Sequence, residues 1–454
     1  LKIVEETMGI FPPVLLLLLL LGTSIVSGSL IKVNSADDLI NVFAGGTTDY
    51  VDDNIEVLAD LDFSSSTVQL TDPLGTSSIH GCIRYQGVLK GNNHVIKELK
   101  MDKRGNQTHP SAGLFCELRN AKVENLVIEG SCFFAGNMTG ALGVRVTGSL
   151  TVENVINQAN VVAHEWSGGL IGRMEYISSG NPLLSFLHCM NEGNVTANGD
   201  YIGGFIGRIS SNTNATLNVS NCVNNGNITG NSSVGGFFGM VGYTSLTTMV
   251  FSQSVNHGVL SGNLSVGGFV GQIINNTNAN ITISSCVNNG TTQGIKNHIG
   301  GFIGNIENNQ QMVLDVSDST SDGMVSGYDF VGGCVGVFEK NQYVMTRVYH
   351  FTNRANVNGN KRTGGIAGAF QRFLNTSMEI TRSTNIGTIK GDDSVSGLIG
   401  RLYGNDKLNV IVNNSENNGN ISGFDYVGGV IGSIFSGFSS GTQKVVIANT
   451  ANSG

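Results

Sequence analysis

Apolar and polar positions fall into columns along this chain, one residue per column in each stretch of about 32 residues. The marker is a Gly-Gly doublet followed by two apolar residues and a further glycine, as in Gly235-Gly236-Phe237-Phe238-Gly239. By the second glycine, the copies stand at Gly169, Gly204, Gly236, Gly268, Gly301, Gly333, Gly365, Gly397 and Gly429. The intervals are 35, 32, 32, 33 and then 32 four times. One position after that glycine stand Leu170, Phe205, Phe237, Phe269, Phe302, Cys334, Ile366, Leu398 and Val430. Two positions before it come Ile202, Val234, Val266, Ile299, Val331, Val395 and Val427, and eight before come Val161, Ile228, Leu260, Val325, Val357, Ile389 and Ile421. Like residues, one per repeat, are what a β-solenoid makes when each rung stacks on the last.

Within a rung this pattern predicts three short strands, over 218–223, 226–230 and 234–239. Joints at Asn225-Gly226 and Gly230 are expected to need positive φ. Phe237 and Phe238 are both apolar, so alternation leaves open which points inward. Residues 35–43 carry an N-cap serine and a helical apolar pattern, which predicts a short helix over the open end. Segments 55–58, 87–96 and 123–128 read as irregular rung strands. The expected fold is therefore all-β, a right-handed parallel β-helix with rungs of about 32 residues and a short N-terminal capping helix. The expected division is a signal peptide at 1–28, a cap with irregular rungs at 29–150, and regular repeats at 151–454. The chain ends inside a copy, and the reading expects it to be truncated.

Composition narrows the functional classes. Charged residues are 13% of the chain, and the net charge of −8 comes without a lysine or arginine stripe, so no nucleic-acid partner is expected. The apolar run from Val14 to Leu21, followed by small residues up to Gly28, has the form of a secretory signal. No second long apolar run follows, so a membrane anchor is not present in this chain. Seven cysteines are too few for a disulfide-built scaffold. Cys189, Cys222 and Cys286 share one column and are expected to be small buried thiols, although stacked rungs would permit a Cys189–Cys222 disulfide.

The segments Gly169-Leu170-Ile171-Gly172, Gly397-Leu398-Ile399-Gly400 and Gly204-Phe205-Ile206-Gly207 resemble the motif of the GLUG-motif repeat proteins. The resemblance covers roughly 85–454. It implies a bacterial or protist surface protein, with adhesins and repeat regions attached to surface peptidases among its relatives. Kelch propellers also use Gly-Gly doublets, but their period is near 50 with a recurrent tryptophan, and this chain has one Trp.

Candidate chemistry is sparse. His164-Glu165-Trp166-Ser167-Gly168 lacks the second histidine that a helical zinc-peptidase motif requires. Four residues before the second glycine, however, runs a partly acidic column: Glu165, Asp200, Ser232, Leu264, Asn297, Asp329, Lys361, Asp393 and Asp425. Aromatic residues follow several of these, including Trp166, Tyr201, Phe330 and Tyr426. Stacking would bring Asp393 beside Asp425, a carboxylate pair suited to sugar chemistry or a calcium site, with neighbouring rings as sugar platforms. The plainer expectation is a turn in which Asp and Asn bond their own backbone. Ligand candidates are thus Asp393, Asp425, Asp329, Tyr426 and Phe330. Glycosylation candidates among the many sequons are Asn227, Asn231, Asn263, Asn280 and Asn420. No cofactor is expected. The reading is a secreted or cell-surface adhesion or structural module without catalysis, with host or cell-surface glycans or proteins as partners. The alternative is a carbohydrate-binding or carbohydrate-active β-helix enzyme.

Overall fold

The computed structural model describes residues 28–44, 50–77, 81–104, 111–175, 180–404, 406–436 and 444–454. The expected signal segment lies outside them except for Gly28. The described chain is a parallel β-solenoid of about 12 turns. Its rungs build four parallel sheets of 24, 13, 11 and 9 strands.

A rung holds five strand segments rather than three. In one regular rung, Thr216–Ser220 and Val223–Asn224 lie in a base sheet and Ile228–Thr229 in a flank sheet. Ser232–Gly235 lies in a corner sheet and Phe238–Gly242 in a roof sheet. Each pairs in parallel with its counterpart one rung on, so Val219 meets Phe251, Ile228 meets Leu260 and Val234 meets Val266. The expected single strand over 234–239 is broken at Gly236-Phe237, where the chain turns from the corner sheet to the roof sheet. That turn settles which phenylalanine points inward. Both do, and Phe237 and Phe238 are fully buried. The Phe205, Phe237, Phe269 and Phe302 rings stack along the axis with centroids 4.8–4.9 Å apart, the spacing of neighbouring strands.

The corners differ from expectation. Neither Gly226 nor Gly230 has positive φ. Left-handed backbone is carried instead by single non-glycine residues. In consecutive rungs these are Ser211, Asn214, Asn221 and Ser233, then Tyr243, Leu246, Gln253 and Ser265. The doublet glycines serve close approach. A Cβ on Gly236 would fall on the Gly268 carbonyl oxygen and 2.7 Å from Asn256 Oδ1.

That asparagine belongs to a buried ladder. Nδ2 of each residue donates to Oδ1 of the next through Asn157, Asn191, Asn224, Asn256 and Asn288, at 2.7–2.9 Å. The ladder resumes through Asn353, Asn385, Asn417 and Asn452 at 2.6–2.7 Å. Most members also donate to the carbonyl two residues on, as Asn224 does to Gly226 at 3.0 Å. Every such bond satisfies a polar group that burial would otherwise penalise.

The cysteine column is of the same kind. The Cys189 N–H donates to Cys222 Sγ at 3.4 Å, the Cys222 N–H to Ser254 Oγ at 3.2 Å and the Cys286 N–H to Ser319 Oγ at 3.0 Å. Cys189 and Cys222 are buried free thiols, not a disulfide. A disulfide does join Cys82 to Cys116, 34 residues and one rung apart, with Cα atoms 5.6 Å apart.

The N-terminal helix, Ala36–Ala44, forms as expected. Ser35 Oγ accepts from the Asp38 N–H at 3.1 Å, and Asp38 Oδ2 accepts from the Asn34 N–H at 2.9 Å, a reciprocal cap. Its Leu39, Ile40 and Phe43 are buried, and Phe43 packs on Tyr85 and Phe115 with centroids 5.9 and 5.8 Å away. The irregular rungs are also in place: Asn54–Val57, Val88–Lys97 and Ala121–Ile128 continue the base sheet.

Candidate functional site

From Asp200 onward the partly acidic column begins the corner-sheet strands, while Glu165 stands two residues before Ser167–Gly168. Adjacent rungs pair Asn297 with Asp329, Asp329 with Lys361, Lys361 with Asp393, and Asp393 with Asp425. The column is therefore strand rather than turn, and the expected neighbours are neighbours. Asp329 does bond adjacent backbone, its Oδ1 accepting from the Phe330 N–H at 2.9 Å. The residue after each member of the column holds a left-handed backbone: Trp166, Tyr201, Ser233, Ser265, His298, Phe330, Arg362, Ser394 and Tyr426 have φ between 48° and 68°. That conformation costs an L-residue about 1–2 kcal/mol, so surrounding packing must hold it.

The packing comes from the roof sheet. The Arg173 guanidinium stands 5.2 Å from the Trp166 ring, and that of Arg208 stands 5.1 Å from Trp166 and 5.5 Å from Tyr201. Ser233 Oγ donates to Gln272 Oε1 at 2.9 Å. Phe330, with Val337 and Ala369, forms a small apolar cluster separate from the main core. The His298 ring lies 5.2 Å from Phe330, and burial pushes its pKa down to about 4.

This layer decides the sequence candidates. Asp329 is buried and takes a two-point ion pair from Arg362, whose Nε donates to Oδ1 at 2.9 Å. Burial raises its pKa, against the pull of Arg362. The Arg362 guanidinium lies 4.0 Å over the Phe330 ring. Asp329 and Phe330 are thus engaged inside the fold and present no platform. Asp393 is half-buried and accepts from Ser394 Oγ at 2.9 Å, while Asp425 and Tyr426 are exposed. Beside them Arg401 stacks on Phe435 at 4.5 Å and Tyr403 at 5.3 Å, and Tyr426 meets Phe435 edge-on at 5.5 Å. Three of the five candidates therefore share one accessible surface with an arginine and two further rings.

Of the glycosylation candidates, Asn227, Asn231, Asn280 and Asn420 are exposed and Asn263 is half-buried. Asn231 donates to Asp200 at 2.8 Å and accepts from Asn263 at 3.2 Å. Among the described residues no group of three or more His, Cys, Asp or Glu is placed to hold a metal ion, and no helix is long and apolar enough to cross a membrane.

A second surface escaped the sequence reading. On the outer face of the base sheet, register brings Thr282, Asp315, Arg347 and Glu379 into one line and Ser317, Tyr349 and Thr381 into the next. Together with Val316 and Val348 they line a groove of about 320 Å³. Arg347 clamps Asp315 through Nε at 2.6 Å and a terminal nitrogen at 2.8 Å. Glu379 accepts from Thr381 Oγ1 at 3.0 Å. Tyr349 Oη accepts from Arg382 at 2.8 Å, and the ring is flanked by His350 with centroids 3.9 Å apart. The signal was a charged triplet, Asp315, Arg347 and Glu379, at 32-residue spacing.

The fold and these surfaces define a parallel β-solenoid with a repeated interior and a varied exterior. No family model matches the chain. A stretch of 92 residues, 20% of this chain, is 36% identical to Halomucin of Haloquadratum walsbyi (strain DSM 16790 / HBSQ001), and it spans 1% of that protein's length. A solved structure of a putative immunoglobulin A1 protease from Bacteroides ovatus is similar over 70% of this chain and 75% of its own, at 15% identity and a TM-score of 0.33.

Proposed function

We propose that this chain is a secreted or cell-surface solenoid acting as an adhesion or structural module, without catalysis, and that its partners are cell-surface glycans or proteins. One observation carries the reading. Interior columns keep their character from rung to rung, while outward-facing side chains within one column change in charge and size, as in Asp315, Arg347, Glu379 and Ile411. Such a body supplies length and a graded surface. The Cys82–Cys116 disulfide suits an oxidising compartment, in line with the signal-like start. The resemblance to GLUG-motif repeats points the same way.

The test presents the expressed chain to a glycan array and to cells, with hydrolase assays on the same glycans in parallel. Saturable binding without bond cleavage is expected. The alternative, a carbohydrate-active β-helix, is favoured by the Asp393 and Asp425 register pair. Cleavage that Asp393→Ala abolishes would replace the first reading with the second.

A further inference from the structure

The geometry points to the groove across Asp315, Arg347, Glu379 and Tyr349 as a binding site for one pyranose ring of a neutral glycan. The inference rests on the adhesion reading and names a site and a ligand class within it.

Size comes first. About 320 Å³ lies at the small end of ligand pockets, which run from about 300 Å³ upward, and suits a single sugar ring. The lining has the right chemistry. Sugar hydroxyls both donate and accept, and the groove offers carboxylates that only accept beside a guanidinium that only donates. The clamp on Asp315 uses two of the five Arg347 N–H groups, and carboxylate oxygens carry more than one lone pair. Tyr349 is 37% exposed and supplies an apolar ring face for sugar C–H groups. Its hydroxyl is held by Arg382, whose guanidinium also stands 5.7 Å from the ring centroid, and the His350 ring lies 3.9 Å away, so the exposed part of the ring is what meets the sugar and little ordering remains for binding to impose.

Charge selects within the class. Asp315, Glu379 and nearby Asp318 face Arg347 and Arg382, while His350 is paired with Asp318. No excess of positive charge is present to draw a carboxylated or sulfated sugar. The feature is also local. The same outward column carries Asn218, Val250 and Thr282 in earlier rungs and Ile411 and Val446 in later ones.

The test combines saturation-transfer NMR with array binding. The chain is probed with neutral galactose-, glucose-, mannose- and N-acetylhexosamine-terminated oligosaccharides, alongside sialylated and sulfated counterparts. Tyr349→Ala is expected to weaken binding of a neutral glycan at least tenfold, Glu379→Gln several-fold, and Tyr349→Phe little. Hydrogen-exchange protection on adding the glycan is expected around 313–317 and 345–349. Should Tyr349→Ala fail to fold, Glu379→Gln and the protection map decide. Binding confined to acidic glycans, or unchanged in both Tyr349→Ala and Glu379→Gln, overturns the inference and leaves the adhesion reading standing. Cell adhesion with no sugar binding at all does the same, whereas absence of both overturns the adhesion reading as well.

Discussion

The asparagine ladder has one gap, and the gap can be measured. At Ser321 the side chain is too short to span, so Ser321 Oγ and Asn353 Oδ1 are buried without hydrogen-bond partners. Asn288 Nδ2, deprived of the next rung's amide, donates to Thr292 Oγ1 at 3.3 Å instead. Thr292 is fully buried and pairs with Leu260 and Val325 in an otherwise apolar column, so it stands where the gap needs an acceptor. Ser321→Asn is therefore expected to restore bonds to Asn288 and Asn353. The space exists, because Gly301 stands against Ser321 as Gly333 stands against Asn353. Two new buried hydrogen bonds at about 0.5–1.5 kcal/mol each, less the cost of ordering a longer side chain, give a net gain of about 1–2 kcal/mol. Thr292→Val alone strands the Asn288 amide and is expected to cost about 1–3 kcal/mol. In the Ser321→Asn background it should cost under about 0.5 kcal/mol, so the pair couples by at least about 0.5 kcal/mol. Solenoid stability is a sum of neighbouring terms, so the double-mutant cycle is read by native-state hydrogen exchange over 286–326, with denaturant unfolding alongside. Additive effects, or a Ser321→Asn protein no better protected than the parent, would refute the compensation.

Gly236→Ala drives a Cβ into the Gly268 carbonyl and the Asn256 amide and should cost about 3 kcal/mol or more, whereas Gly130→Ala, with its nearest neighbour 3.6 Å away, should be nearly neutral; denaturant midpoints compare them. Cys222→Ser should be tolerated within about 1 kcal/mol, because Ser254 and Ser319 already accept the same bond in their rungs, while Cys222→Val leaves the Cys189 N–H unpaired at about 1–3 kcal/mol. His298, facing Glu307, Glu339, Arg362 and Lys340, is held neutral by burial down to about pH 4, whereas the unfolded chain protonates it near 6.5. Stability should therefore fall as pH drops from about 6.5 to 4, by up to about 3 kcal/mol, and thermal midpoints of His298→Phe should be flatter over that range. Asp37 and Asp102, held near 2 by hydrogen bonds from Ser66 and Arg104, lose their contributions only at lower pH.

Much of the interior was legible in the sequence. Ile228 and Val234 were read as members of apolar columns from the period, and both are buried; Phe237 and Phe238, between which alternation could not choose, are both buried as well. The capping helix was legible because Ser35 and the apolar spacing are local signals. The asparagine ladder was equally periodic, yet the sequence did not single it out. An asparagine reports nothing about burial until its partner one rung away is in view. The candidate site was half legible. The Asp393–Asp425 and Asp329–Lys361 pairings follow from the period, but that Arg362 rather than Lys361 clamps Asp329 and covers Phe330 depends on how the side chains turn within the corner sheet.

The period of 32 by itself determined that equivalent residues stack, and with it the parallel solenoid and its apolar columns. A repeat length does not say where within a rung the chain bends. That was decided only in three dimensions, where single residues such as Tyr201, Phe330 and Arg362 hold a left-handed backbone that intrinsic preference opposes. Packing against neighbouring rungs outweighs the local cost, and the same bends set which acids are sealed inside and which face the solvent.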